Sequence, residues 1–199
     1  MLVETQYFPS IKFWAQAQKT GEVKLEKYEN YQKRSYRNKC LILAANGVLT
    51  LSIPLKKGKN NRLPITEVEI SYEENWQKIH LTSLKSAYTS SPYYEFYIDE
   101  IEALLMNSER FLYDYNFRIL DWFSKQLSLI LLESKEYNKI EINDLRHVLL
   151  PKSRDLNYPS YMQVFSDKFS FASDLSILDL LFCKGPEMGS YLRKIAKDI

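Results

Sequence analysis

Leu41-Ile42-Leu43-Ala44-Ala45-Asn46-Gly47-Val48-Leu49-Thr50-Leu51-Ser52-Ile53 is two apolar, β-rich runs joined by Asn-Gly. The central residues of a tight hairpin turn need positive φ, which Asn and Gly tolerate, so the stretch predicts an antiparallel hairpin. Pro54 lacks an N–H for the ladder and ends the second strand. Upstream, residues 2–7 predict a short strand that stops at the Pro9 turn. Residues 11–19 place Ile11, Phe13, Trp14 and Ala17 at helical spacing before Gly21, and residues 23–26 alternate apolar and charged. Together they predict a βαβ unit. Downstream, residues 65–70 alternate again and predict another strand.

From Glu73 the period becomes helical. Trp76, Ile79, His80, Leu84, Ala87 and Tyr88 share one face at three- and four-residue spacing. Pro92 opens a second helix, running to residue 106, whose apolar residues include Phe96. Residues 111–133 predict the longest helix, 139–142 a short strand, and 145–161 less regular chain. Asp174 is placed to cap a helix holding residues 175–182, Gly185-Pro186 to stop it, and a last helix to run to residue 197. The expected fold class is α/β: a mixed sheet built mainly from the N-terminal third, packed against several C-terminal helices, in one domain over 1–199. An α+β arrangement is the alternative, and the sheet order is not legible.

The 199 residues are 45% hydrophobic and 26% charged, enough apolar material for a full core. Two cysteines, Cys40 and Cys183, make no disulfide framework. The first ten residues lack a basic start followed by a long apolar run, and no stretch approaches the roughly 18 apolar residues of a membrane span. A cytoplasmic protein is expected. The five glycines form neither GxGxxG nor GxxxxGK[ST], no GxSxG occurs, and two His with two distant Cys argue against a structural zinc site. No metal and no cofactor is expected.

Charge is unevenly spread. Between Glu29 and Glu67 there is no acidic residue, while Lys33, Arg34, Arg37, Lys39, Lys56, Lys57, Lys59 and Arg62 fall in that stretch of a chain whose net charge is only +2. A one-signed region attracts ligands of opposite sign. The partner this implies is an anionic small molecule: a nucleotide sugar or another phosphate or carboxylate donor. Nucleic acid is not the expected partner, because the chain as a whole is nearly neutral and carries no recognition module. Within the basic stretch, Tyr31-Gln32-Lys33-Arg34-Ser35-Tyr36-Arg37-Asn38 lies between predicted strands, where α/β proteins place ligands. Arg34 and Arg37 offer forks for phosphate or carboxylate, and the alternative is a solvated basic loop.

His80 reads either as a packed histidine or as an acid/base group. Cys40 reads as core. Asp179 shares a strip with Ser176 and Cys183 between apolar flanks; the strip either faces solvent or carries a carboxylate into a cleft.

Several segments together resemble the WbqC-like family. They are Tyr7-Phe8-Pro9, the stretch Tyr31-x-Lys33-x-Ser35-Tyr36-Arg37-Asn38, and Ser52-Ile53-Pro54. Trp76, His80, Tyr88 and Ser91-Pro92 follow, then Tyr161-x-Gln163-Val164-Phe165, and finally residues 175–182 with Gly185-Pro186. The chain departs from the pattern where many members read Gln-Pro before the first Tyr, since Glu4-Thr5 stand there. It departs again where Glu26 and Glu29 occupy a neighbourhood that carries Asp in many members. The resemblance implies a role in bacterial O-antigen-like surface-polysaccharide biosynthesis. It strengthens Lys33, Arg37, Asn38, His80, Tyr88, Gln163 and Asp179. Together with the reading of the residues, this makes His80, Asp179 and Tyr88 the catalytic candidates and Tyr7, Lys33, Arg34, Arg37, Asn38 and Gln163 the substrate-binding candidates. Two readings follow: a group transferase (acyl-, aminoacyl- or glycosyl-type) using an anionic activated donor, or a non-catalytic ligand-binding or scaffolding protein with pathway enzymes as partners.

Overall fold

The computed structural model describes residues 1–56, 60, 62–137, 143–149, 158–197 and 199. The strand predicted at 139–142 lies outside them, as do Lys57 and Lys59. The βαβ unit forms, with its first strand shorter than the predicted 2–7: β1 (Leu2–Val3), α1 (Ile11–Thr20) and β2 (Glu22–Leu25), with β1 parallel to β2 in the register Val3↔Leu25. Gly21 ends α1 at φ 71°, its N–H bonded back to the Ala17 carbonyl. The hairpin also forms, as β3 (Lys39–Ala44) and β4 (Gly47–Ser52), in the register Ala44↔Gly47 to Lys39↔Ser52. Among the described residues the strands divide into two small sheets, β1-β2-β5 and β3-β4.

The third strand of the parallel sheet comes from a segment predicted as helix. Helix α4 (Leu112–Gln126) stops at Ser128, whose φ is 56°. The Leu129 N–H turns back to the Ser124 carbonyl, and β5 (Ile130–Glu133) pairs parallel with β2 from Glu22↔Ile130 to Leu25↔Glu133. The open edge of β2 supplies backbone partners that a further helical turn would not need, and this tertiary pairing overrides the helical period. Residues 65–70 also differ from expectation. Pro64 leads into a 3-10 turn, Ile65–Glu67, that buries Ile65 and Val68; single bridges then tie Glu69 to Phe111 and Ile70 to Leu55.

Helices α2 (Trp76–Tyr88) and α3 (Tyr94–Leu105) follow the predicted stripes, except that Ile79 and Phe96 face outward. Helix α5 (Ile177–Lys184) is capped by Ser176, whose Oγ accepts from the Leu178 N–H at 3.3 Å. Asp174, the predicted cap, instead accepts from the Lys12 N–H in the first turn of α1 at 3.0 Å, joining two helix starts far apart in sequence. Helix α6 (Met188–Ala196) packs on α1. Phe8, Trp14 and Phe123 meet in the core, Phe8 edge-on to Phe123 at 6.2 Å. Burying each such side chain stabilises by about 1.5–3 kcal/mol. Among the described residues no helix is long and apolar enough to cross a membrane.

Candidate functional site

Parallel strands all end on one edge of their sheet, and that edge is where open α/β sheets gather ligands. Here Glu4 follows β1 closely, Glu26 directly follows β2 and Ser134 directly follows β5; all three are buried. The Glu26 carboxylate accepts from the Tyr28 N–H (3.0 Å), the Ser134 hydroxyl (2.8 Å) and Arg146 Nη1 (3.0 Å). Arg146 also clamps Asp144 through Nε and Nη2 and lies 4.9 Å over the Tyr137 ring. Asp144 itself bridges to Leu2 in parallel, so residues 143–149 extend the sheet beside β1 and bring Arg146 and His147 over the strand ends.

The basic loop supplies the second half. Ser35 caps a 3-10 turn, Tyr36–Asn38, and the turn directs Arg37 inward, where it is fully buried. Arg37 Nε donates to Glu29 Oε1 at 2.9 Å, and Nη2 reaches both Glu29 Oε2 and His147 Nδ1. Glu4 accepts from the His147 N–H (3.0 Å) and from Gln6 Nε2 (3.1 Å). Glu4, Gln6, Glu26, Glu29, Arg37, Arg146 and His147 therefore form one buried polar cluster.

Burial raises the Glu29 carboxyl to about 7; Arg37 pulls the other way, while Glu4 and Glu26 add to the rise. Burial, then the neighbouring Arg37, lowers His147 below its ordinary value, so its ring is neutral and Nδ1 accepts from Arg37. Two atoms of the cluster have no hydrogen-bond partner among the described residues: Gln6 Oε1 and Arg37 Nη1, both on side chains with no exposure. An unpaired buried polar atom costs about 1–3 kcal/mol, so each such atom calls for an explanation.

The residues singled out from the sequence fall into separate groups. Tyr7 and His80 pair, the Tyr7 hydroxyl 2.8 Å from His80 Nδ1, with Trp76 edge-on to the imidazole at 5.1 Å. Burial lowers His80 to about 4 and holds Tyr7 far above its ordinary value, so His80 is neutral and Nδ1 accepts from the Tyr7 hydroxyl. Asp179 gathers the second group: Tyr88 donates to Oδ1 (3.0 Å), and Tyr161 (2.5 Å) and Gln163 (2.9 Å) to Oδ2. Its exposure is 0%, which removes the solvent-facing reading. Two hollows, about 410 and 330 Å³, flank this group and share Met162 and Cys183. Asn38 accepts from Tyr31 and donates to the Ile53 carbonyl, pinning the loop to the hairpin. Lys33 and Arg34 stand exposed on that loop, Arg34 at φ 61°. Among the described residues no hydrogen bond, ion pair or ring contact joins His80 to Asp179, or either one to Arg37.

Of the strand-end cluster, sequence reasoning put forward only Arg37. Glu4, Glu26 and Glu29 entered it merely as departures from a family pattern, and Gln6, Arg146 and His147 not at all. The predicted strands, 2–7 and 23–26, contain Glu4 and Glu26, so that both stand just past strand ends is visible only from the strand ends of the structure. Among the described residues no group of three or more His, Cys, Asp and Glu side chains is arranged to hold a metal ion.

Comparison with known proteins gives one match. The model of the WbqC-like protein family covers residues 5–150, and no curated protein and no solved structure matches. The strand-end cluster falls inside the matched stretch except for Glu4, which lies one residue before it. Gln163, Asp179 and the blocks 161–165 and 175–186, which contributed to the resemblance, fall outside it.

Proposed function

The chain belongs to the WbqC-like family, and from that premise we propose that it is a group transferase of bacterial surface-polysaccharide assembly, acting at the strand-end cluster on an anionic activated donor. One observation carries the reading: a buried carboxyl raised to about 7, Glu29, sits against a guanidinium with one nitrogen, Arg37 Nη1, unpaired among the described residues. A general base works best when its pKa lies near the working pH, and Glu29 meets that condition. Arg37 Nη1 supports the negative charge that grows on the donor during transfer. Lys33 and Arg34, exposed on the same loop, draw the phosphate or carboxylate of the donor towards it. In this reading His80 with Tyr7, and Asp179 with Tyr88 and Gln163, are positioning pairs that hold the hairpin and α5 around the site.

The test begins with a screen of nucleotide sugars and other phosphate donors for thermal stabilisation, followed by turnover of those that bind. The rate rises as pH increases through about 7, because Glu29 must be ionised to take a proton. Glu29→Gln lowers the rate by about 10²–10⁴-fold. A rate unchanged in that variant overturns the reading. Binding of a donor without turnover favours the non-catalytic reading, which one observation supports: both Glu29 oxygens already accept from Arg37, an arrangement suited to a structural pair.

A further inference from the structure

Among the described residues the strand-end cluster brings three glutamates, Glu4, Glu26 and Glu29, to two arginines, Arg37 and Arg146. Glu26 is met by Arg146 and Glu29 by Arg37, with Asp144 also on Arg146. Glu4 is different. It has no exposure, yet among the described residues its carboxylate accepts only from two neutral groups, the Gln6 amide and the His147 N–H. Arg37 attracts it through space, but no cation among the described residues is bonded to it. A buried carboxylate without a bonded counter-charge is costly. Beside it, the amide that donates to Glu4 presents its other atom, Gln6 Oε1, as a buried acceptor with no donor among the described residues. These two groups call for a donor, and a cationic donor suits both. Arg37 Nη1, a donor without an acceptor among the described residues, calls for an oxygen. Arg37 and Glu4 are joined through His147, whose ring meets Arg37 and whose N–H meets Glu4.

We propose that the strand-end cluster binds a primary amine with an oxygen acceptor close to the nitrogen, the ammonium resting on Glu4 and Gln6 Oε1 and the oxygen on Arg37 Nη1. This chemistry is shared by amino sugars and free amino acids. The proposal rests on the transferase reading and deepens it by naming the acceptor class. In the transfer step the ammonium loses one proton to Glu29, exposing the nitrogen lone pair. The nitrogen then bonds to the electrophilic atom of the activated donor. The bond between that atom and the anionic leaving group breaks, and the second proton passes from nitrogen to the departing anion.

Titration calorimetry on the full chain tests binding with no donor present. The probes are glucosamine, glycine, N-acetylglucosamine, in which the amine is blocked, and glucose, in which a hydroxyl replaces it. Glucosamine or glycine binds at least tenfold more tightly than the two probes without an amine, and whichever of the pair is tighter assigns the source. Glu4→Gln, nearly the same shape without the charge, weakens the amine at least tenfold. Should that variant fail to fold, the ranking of the four probes on the unaltered chain still decides. Equal binding of the amines and their neutral counterparts, or no binding of any probe, overturns the proposal. The two readings fail separately: amine preference without turnover on any donor counts against the transferase alone. Turnover that depends on Glu29, without amine preference, counts against the amine site alone.

Discussion

Two buried polar networks sit in this molecule, and they are built on opposite plans. Around Asp179, one carboxylate meets three neutral donors, and the amide of Gln163 uses both ends, its Oε1 accepting from the Ala172 N–H. At the strand ends, Glu29 pairs with Arg37 and Glu26 with Arg146, Glu4 is bonded to neutral donors, and a buried amide oxygen and a guanidinium nitrogen have no partner among the described residues. The closed network fastens residues 158–172 to α5 and asks for nothing more. The open one leaves Gln6 Oε1 and Arg37 Nη1 without a partner among the described residues, and the proposed ligand would meet that demand. A satisfied network maximises stability, whereas leftover buried atoms lower it and persist where binding needs them.

The largest effect that would sharpen this contrast is the loss of Asp179. Asp179→Ala strands three buried donors at once and lowers stability by about 3–6 kcal/mol, read as the midpoint of urea unfolding. Asp179→Asn, which keeps one acceptor, costs clearly less. A loss under about 1 kcal/mol for the alanine variant would mean that the closed network is not a fastening.

Next comes pH. The folded value of Glu29, about 7, lies above its ordinary 4.5, so between those values the folded state binds more protons and stability falls as pH rises. The folded value of His80, about 4, lies below its ordinary 6.5, so its contribution falls as pH drops from about 6.5 to about 4. The two limbs oppose each other in the unaltered chain, each on the order of 1–3 kcal/mol. Relative to that chain, Glu29→Gln gains stability as pH rises from 4.5 to 7, and His80→Gln gains it as pH falls from 6.5 to 4. Unfolding midpoints across that range check both, and parallel curves for all three proteins would break the assignment.

The smallest effect comes from Thr5, whose hydroxyl is buried between Glu4 and Gln6 in sequence and has no partner among the described residues. Thr5→Val keeps the shape, removes the unpaired group and stabilises by about 1 kcal/mol in the same assay. A loss of similar size would show that the hydroxyl is paired after all and that the strand-end region is less open than its geometry indicates.

The sequence was most readable where the signal was local. Asn46-Gly47 located the hairpin because two positive-φ tolerances fall together, and Gly21 marked the end of α1. It misread segments whose backbone partners come from elsewhere. Residues 130–133 carry a helix-compatible pattern, yet the edge of β2 claims them; Asp174 looks like a local cap, yet it caps α1. The candidate site followed the same rule. Arg37 stood out because cations cluster around it in sequence. Glu4, Glu26 and Glu29 did not, since acidic residues outside a basic stretch look like ordinary surface.

Hydrophobic period, turn residues and charge distribution determined by themselves that this chain forms a βαβ unit, a hairpin and a set of helices, and that its loop at 33–38 is basic. Those are properties of neighbours along the chain. Tertiary structure alone decided that positions 4, 26, 29, 37, 146 and 147 meet, and that Asp179 turns inward to three donors instead of outward to water. Parallel pairing aligns strand ends that lie more than a hundred residues apart, and burial at that edge turns common glutamates into groups whose charge must be matched.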